Sequence, residues 1–313
     1  MSRFKYTLTI VVPTKDRPNE LRRMLESLAA QSHLPDEVIV AGEGEGVGDV
    51  TGEFLQLNAK FLNVPGLSIC EARNAGARVA RPDVTLIGFM DDDIVLEPGA
   101  LEAMLAFWET APAEVGGAGF NFRNVLAPET ERKWKLRPTT WMYDLFMLRN
   151  QPKGVVLRSG FPTPLYPVTE NLYVDWLETI GLVLRREVVE RFQFDDFFTG
   201  YTYMDHLDYT YGVSRRYKLC VVSNAWLTHY SSPIRNSYLL GKKQVINRVH
   251  FVRKHPELSV LRCCFILGLH VVFNLVVGCL LWDGGYLRRA WGNCAGFAQM
   301  ASGRMRPVPG GIK

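Results

Sequence analysis

The sequence is poor in several features that would place a chain quickly, and each lack removes a reading. Its six cysteines (Cys70, Cys220, Cys263, Cys264, Cys279 and Cys294) show neither disulfide nor zinc spacing. Three of them fall inside one apolar stretch, which predicts free thiols and a reducing compartment. Met1 to Thr9 lacks an apolar signal core, so no secretory signal is expected. A formal net charge of +4 over 313 residues is too small to argue for a nucleic-acid partner. There is no internal repeat and no low-complexity linker. No G-x-G-x-x-G follows the first predicted strand, which argues against a dinucleotide-binding dehydrogenase. What is present is an ordinary folded-protein balance, 47% hydrophobic and 22% charged, enough to bury a sizeable core.

Tyr6 to Val12 is β-branched and apolar and reads as a buried strand stopped by Pro13. Asn19 is a candidate cap for the helix that follows, with Leu21, Met24, Leu25 and Leu28 at helical spacing. Glu37 to Ala41 predicts a second strand, Ser68 to Ala80 contains a helix, Val84 to Met90 predicts a third strand, and Glu97 to Glu109 another helix. A sheet pattern returns at Tyr173 to Arg186 and at Phe192 to Tyr203. This alternation predicts an α/β fold with a mostly parallel, doubly wound sheet. Ligands on such sheets bind beyond the carboxyl ends of the strands. Pro13-Thr14, the loop Gly42 to Gly46, and Asp91-Asp92-Asp93 all fall there.

The triplet Asp91-Asp92-Asp93 ends an apolar run and precedes Ile94-Val95-Leu96. Three carboxylates at the mouth of a buried strand repel one another, and desolvation adds to the cost. Such a cluster persists when positive charge sits beside it, and hard oxygen ligands suit Mg²⁺ or Mn²⁺. Taken alone, the triplet also reads as a solvated acidic turn.

Five ordered landmarks resemble the family 2 glycosyltransferases with the A-type nucleotide-sugar fold, over about residues 6–230. They are Ile10-Val11-Val12-Pro13-Thr14-Lys15-Asp16-Arg17; Glu71-Ala72-Arg73-Asn74-Ala75-Gly76; Phe89-Met90-Asp91-Asp92-Asp93; Val174-Asp175-Trp176-Leu177 with Gly181 and Leu184-Arg185-Arg186; and Tyr203 to Tyr209 leading to Arg215-Arg216-Tyr217. The resemblance implies an inverting, metal-dependent transfer from a nucleotide-sugar donor to a saccharide or polyprenyl-linked acceptor. It implies that Asp93 contacts Mg²⁺ or Mn²⁺, with Asp91 at the metal or ribose and His229 near the metal or diphosphate. Pro13, Thr14, Lys15, Arg17, Glu43, Arg73, Asn74, Asp91 and Asp92 would line the donor site, Asp92 reading also as structural. Trp176, Leu177 and His206 would meet the acceptor. Asp205 is the candidate base, with Asp208 second. Two departures stand out: Gly42 occupies the place of an acidic base contact, with Glu43 beside it, and the Glu-Asp pair is matched by Asp205-His206 or, with a one-residue slip, has Asp205 in the place of the Asp. Other readings of single residues are a helix N-cap for Asp205, a core histidine for His229, and surface ion pairs for Arg73 and Lys15.

Cys263 to Trp282 carries no formal charge and is about as long as a transmembrane helix. Basic residues lie on both sides of it, whereas a spanning helix usually shows asymmetry. An in-plane or re-entrant hairpin against anionic headgroups fits this pattern, and a spanning helix and a buried core or dimer interface remain open. The expected division is a catalytic domain over 1–236, with a nucleotide-sugar half (about 1–120) and an acceptor half (about 121–236), and a membrane-associating tail over 237–313. The expected place is cytoplasmic, at the inner face of the cell membrane. A homo-oligomer remains open. Alternatives are a nucleotidyltransferase and a non-catalytic nucleotide-sugar-binding or scaffold module.

Overall fold

The computed structural model describes residues 4–126, 151–200, 203–231 and 236–311. The basic positions Arg132, Lys133, Lys135 and Arg137 and the apolar Trp141 to Met147 lie outside the described residues.

The chain forms two compact units, Met1–Leu126 with Leu165–Phe194 and Tyr209–Ser231, and Ala127–Pro164 with Asp195–Asp208 and Ser232–Lys313. The first is a nine-stranded mixed sheet with helices. Its strands are β1 (Leu8–Lys15), β2 (Glu37–Glu43), β3 (Ala59–Asn63), β4 (Leu86–Met90), β5 (Ile94–Leu96), β6 (Val115–Leu126), β7 (Leu172–Val174), β8 (Gly181–Arg185) and β9 (Lys218–Ser231). They run in the order β3-β2-β1-β4-β8-β6-β9-β5, with β7 on β9. The block β3-β2-β1-β4 is parallel, as the alternation predicted. Strand β8 then runs antiparallel to both β4 and β6.

The apolar runs of β1 and β4 are buried along their length, as expected where helices cover a parallel sheet. Helix α1 (Pro18–Ala29) buries Leu21, Met24, Leu25 and Leu28. Helix α2 is Val47–Gly52. Helix α3 (Ile69–Val79) opens with a capping box between Ser68 and Glu71. A Cβ on Gly76 would lie 2.4 Å from a Val11 methyl, so α3 packs directly on β1. Helix α4 (Ala100–Thr110) buries Trp108.

Four expectations are corrected. Strand β1 does not stop at Pro13 but runs through it to Lys15. Pairing with β4 ends at Val11, so Pro13 faces a ladder only toward β2, where a missing N–H is tolerated. Asn19 lies inside α1, which Pro18 starts with its preset φ. The run Val84 to Met90 is the fourth strand, because β3 intervenes. No strand forms over 192–200.

Short α5 (Arg186–Arg191) follows β8, and α6 (Asp205–Ser214) leads to β9. The second unit holds three long helices: α7 (Ser237–Lys254), α8 (Val260–Leu280) and α9 (Gly284–Ala301). A Cβ on Gly241 would meet the Arg289 carbonyl at 2.1 Å, and one on Gly292 the Tyr238 carbonyl at 2.0 Å. Helices α7 and α9 therefore touch backbone to backbone. Asn293 is buried at their junction, donating to the Gly241 carbonyl at 2.8 Å and accepting from Asn274 at 3.2 Å.

Candidate active site

The site is assembled at the carboxyl ends of β1, β2 and β4. Pairing of Thr14 with Gly42 fixes the first two ends. A Cβ on Gly42 would sit 1.9 Å from the Thr14 carbonyl oxygen, so no side chain fits at that position. Glu43 accepts from Lys15 at 2.5 Å and from the Gly66 N–H at 3.0 Å.

The positive charge that the triplet requires comes from two arginines. Asp92 is buried and accepts from the Thr14 hydroxyl at 2.7 Å and from Arg17 Nη1 at 2.6 Å. The same guanidinium reaches Asp93 Oδ2 at 3.2 Å. Asp91 is held by Arg73 at 2.6 Å, itself buried on α3 with its guanidinium over the Phe194 ring. Burial dominates at Asp92 and pushes its carboxyl up to about 7, although Arg17 and Thr14 pull it back.

His229 comes to the triplet through sheet register. It pairs with Ile94 on β5, one residue after Asp93, and with Asn124 on β6. Its Nε2 lies 3.3 Å from Asp93 Oδ1, and its Nδ1 lies 2.8 Å from Asn124 Oδ1. With Nδ1 held by Asn124 and Ser231, Nε2 is turned toward Asp93 Oδ1. A ring nitrogen and a carboxylate oxygen so placed can share a proton or hold a cation together. A carboxylate oxygen and an imidazole nitrogen are ligand types that Mg²⁺ or Mn²⁺ accepts, so Asp93 and His229 would be the protein groups to hold such an ion. Among the described residues no group of three or more His, Cys, Asp or Glu that could hold a metal ion is present, so an ion there would depend on the substrate for further ligands.

The other predicted residues divide. The Asn74 side chain is taken up by the Phe194 backbone, donating at 2.8 Å and accepting at 3.0 Å. Leu177 is fully buried and its backbone is bonded both ways to Thr210 Oγ1, while Trp176 is nearly buried. In the second unit Asp205 starts α6, nearly buried, with His206 Nδ1 at 3.9 Å. Asp208 is tied to Lys254 at 2.6 Å, and Lys254 to Asp195 at 2.8 Å, which also takes His250 at 2.9 Å. Burial pushes the Asp208 carboxyl up against the pull of Lys254. The roles of Asn124 and Lys254 were not read from the sequence. Asn124 carries no local signal, and Lys254 resembles any basic flank.

Residues 9–162 match the model of glycosyl transferase family 2. The resemblance carried by the motifs therefore holds over just under half of the chain, and that segment is a glycosyltransferase domain. Validoxylamine A glucosyltransferase of Streptomyces hygroscopicus subsp. limoneus is 31% identical over 116 residues, 34% of this chain and 25% of that protein. The uncharacterized glycosyltransferase YwdF of Bacillus subtilis (strain 168) is 34% identical over 106 residues, 33% of this chain and 39% of that protein. The chain thus spans well under half the length of these relatives. Among solved structures, the mannosyltransferase PcManGT from Pyrobaculum calidifontis, in complex with GDP-Man and Mn²⁺, superposes with a TM-score of 0.52 at 15% identity. That match covers 96% of this chain and 83% of that one. GalNAc-T7 with UDP, GalNAc and Mn²⁺ gives 0.51 at 13% identity, over 72% of this chain and 43% of that one. At such identities the likeness establishes the A-type glycosyltransferase fold.

Proposed function

We propose that the protein is a metal-dependent, inverting glycosyltransferase that moves a sugar from a nucleotide-sugar donor to a saccharide or polyprenyl-linked acceptor. The observation that carries this is the opposed pair Asp93 Oδ1 and His229 Nε2, 3.3 Å apart beside the buried Asp92 at the strand ends. Asp93 and His229 would hold Mg²⁺ or Mn²⁺, and a bound ion would supply positive charge to the departing diphosphate. Asn124 holds the imidazole so that Nε2 faces Asp93. Asp91, held by Arg73, is assigned to the donor ribose, and Asp92, held by Arg17 and Thr14, to fixing the loop. Lys15 and Glu43, paired across the ends of β1 and β2, are assigned to the nucleoside end of the donor. For the base we propose Asp205, whose carboxylate takes the proton of the acceptor hydroxyl as that oxygen attacks the anomeric carbon. Asp208, already held by Lys254, is the weaker choice. The place of action is the cytoplasmic face of a membrane, supported by the apolar α8 and its basic flanks.

The test is a thermal-shift series with UDP and GDP, each with and without Mn²⁺. A ligand at a hundred times its Kd stabilises by about 2.7 kcal/mol. The Mn²⁺-dependent part of the shift should vanish in Asp93→Asn and fall in His229→Ala. Metal-independent shifts in all three proteins would remove the proposed ion site.

A further inference from the structure

Helix α8 presents one apolar face that no described residue of its own unit covers. Leu261, Phe265, Val272, Leu275, Val276 and Leu280 are exposed and recur at spacings of three, four and seven. The opposite face buries Cys263, Leu267, Phe273, Asn274 and Val277. Besides Arg262 in its first turn, the polar residues of α8 are His270 and Asn274, and both point away from the exposed stripe. Asn274 bonds to Asn293, and the His270 ring stacks on Phe161 at 5.3 Å with Nδ1 on the Ile266 carbonyl. Helix α9 continues the pattern, exposing Leu287 and Trp291, and Trp282 at the turn is 94% exposed.

At its start the stripe runs into a cavity of about 710 Å³, between residues 157–161 and the first turns of α8. Leu157, Phe161, Leu261 and Phe265 supply apolar walls, and Arg158 and Arg262 are both part of its lining. Both arginines are exposed, and among the described residues no ion pair with a carboxylate is found for either. The walls are fixed independently of any ligand. Arg248 donates to the Gly160 carbonyl at 2.6 Å and lies over the Phe161 ring at 3.9 Å. The Ser259 N–H donates to the Arg158 carbonyl at 2.7 Å, tying the loop to α8. Beyond residue 257 the sequence holds one acid, Asp283, against Arg262, Arg288, Arg289, Arg304, Arg306 and Lys313.

We propose that this cavity holds an anionic membrane lipid, its phosphate against Arg158 and Arg262 and its chain along Leu261 and Phe265, with α8 lying in the plane of the bilayer. The charge and the apolar surface are both required. Two unpaired guanidinia match a phosphate, and the adjoining stripe matches a hydrocarbon chain. Arg262 at the start of α8 and Arg288 and Arg289 after its end bring basic charge to both flanks of the stripe, which fits a helix resting at headgroup depth. The inference rests on the membrane part of the proposed function and assigns it to named residues.

The experiment is flotation of the full chain with phosphatidylcholine vesicles, with and without phosphatidylglycerol. Wild type should bind the anionic vesicles more tightly. Arg158→Gln and Arg262→Gln should each weaken that binding about 5-fold, and the double variant about 30-fold, leaving binding to neutral vesicles unchanged. Phe265→Ser should weaken both. The unchanged melting temperature of the arginine variants serves as the fold control. Absence of wild-type binding to any vesicle would overturn the membrane reading and the inference together. Wild-type binding that the double arginine variant retains would overturn the lipid site alone. Displacement by inorganic phosphate at constant ionic strength, or a vesicle-free dimer abolished by Phe265→Ser, would assign the surface to a soluble anion or to a second copy.

Discussion

Replacing Arg17 by leucine removes the cation shared by Asp92 and Asp93, two carboxylates whose side chains are 5% and 4% exposed. Breaking one partner out of a buried pair costs about 3–5 kcal/mol. Arg17 is itself 25% exposed, so the lower end applies, about 3 kcal/mol, a fall of roughly 5–10 °C in melting temperature. The cost should depend on pH. A carboxyl with its folded pKa raised stabilises the fold fully below its unfolded value and loses that contribution as pH rises through the folded value. For wild-type Asp92 that loss is complete a little above about 7. Without Arg17 the folded value moves higher, so the variant keeps losing stability above pH 7, by up to about 1.4 kcal/mol per pH unit. Urea melts of both proteins in chelator at pH 6 to 9 measure this. Stability curves that stay parallel above pH 7 would refute the coupling between Arg17 and Asp92.

Gly42→Ala should cost about 3 kcal/mol or more, because its Cβ would lie 1.9 Å from the Thr14 carbonyl and only movement of the β1–β2 ladder relieves it; a near-normal melting temperature would contradict that packing. Asp195 is held well below the usual carboxylate range by His250, with help from Lys254 against the opposing effect of burial. Its contribution is therefore present above the unfolded value and is lost as pH falls toward the folded one. Asp195→Asn should flatten the fall in melting temperature between about pH 5 and pH 3, and an unaltered slope would show that the cluster does not carry it.

The central strands were legible because burial on both faces leaves continuous apolar runs, as in Leu8 to Val12 and Leu86 to Met90. Strand β3 was not, since Ala59 to Asn63 is a mostly exposed edge with no apolar pattern. The triplet, Arg17 and Arg73 were visible as types, and their pairing explains how three carboxylates coexist. What escaped was non-local. The pairing of β6 with β9 shifts register after Phe120, and that shift sets Asn124 beside His229 across 105 positions. No window of sequence contains that relation. Helix α8 was visible in length and apolarity, but which of its faces is covered depends on Asn293 and Phe161, which lie elsewhere in the chain.

The guanidinium lodged between Asp92 and Asp93 makes the loop self-neutralising before any ligand arrives. Under the proposed function, a divalent ion entering that corner would perform an exchange rather than an addition, weakening one attraction as it made another. Its apparent affinity would then be a difference between two competing cations. A diphosphate that offers Arg17 a new partner shifts that balance, so the ion and the nucleotide should each appear weak alone and tight together.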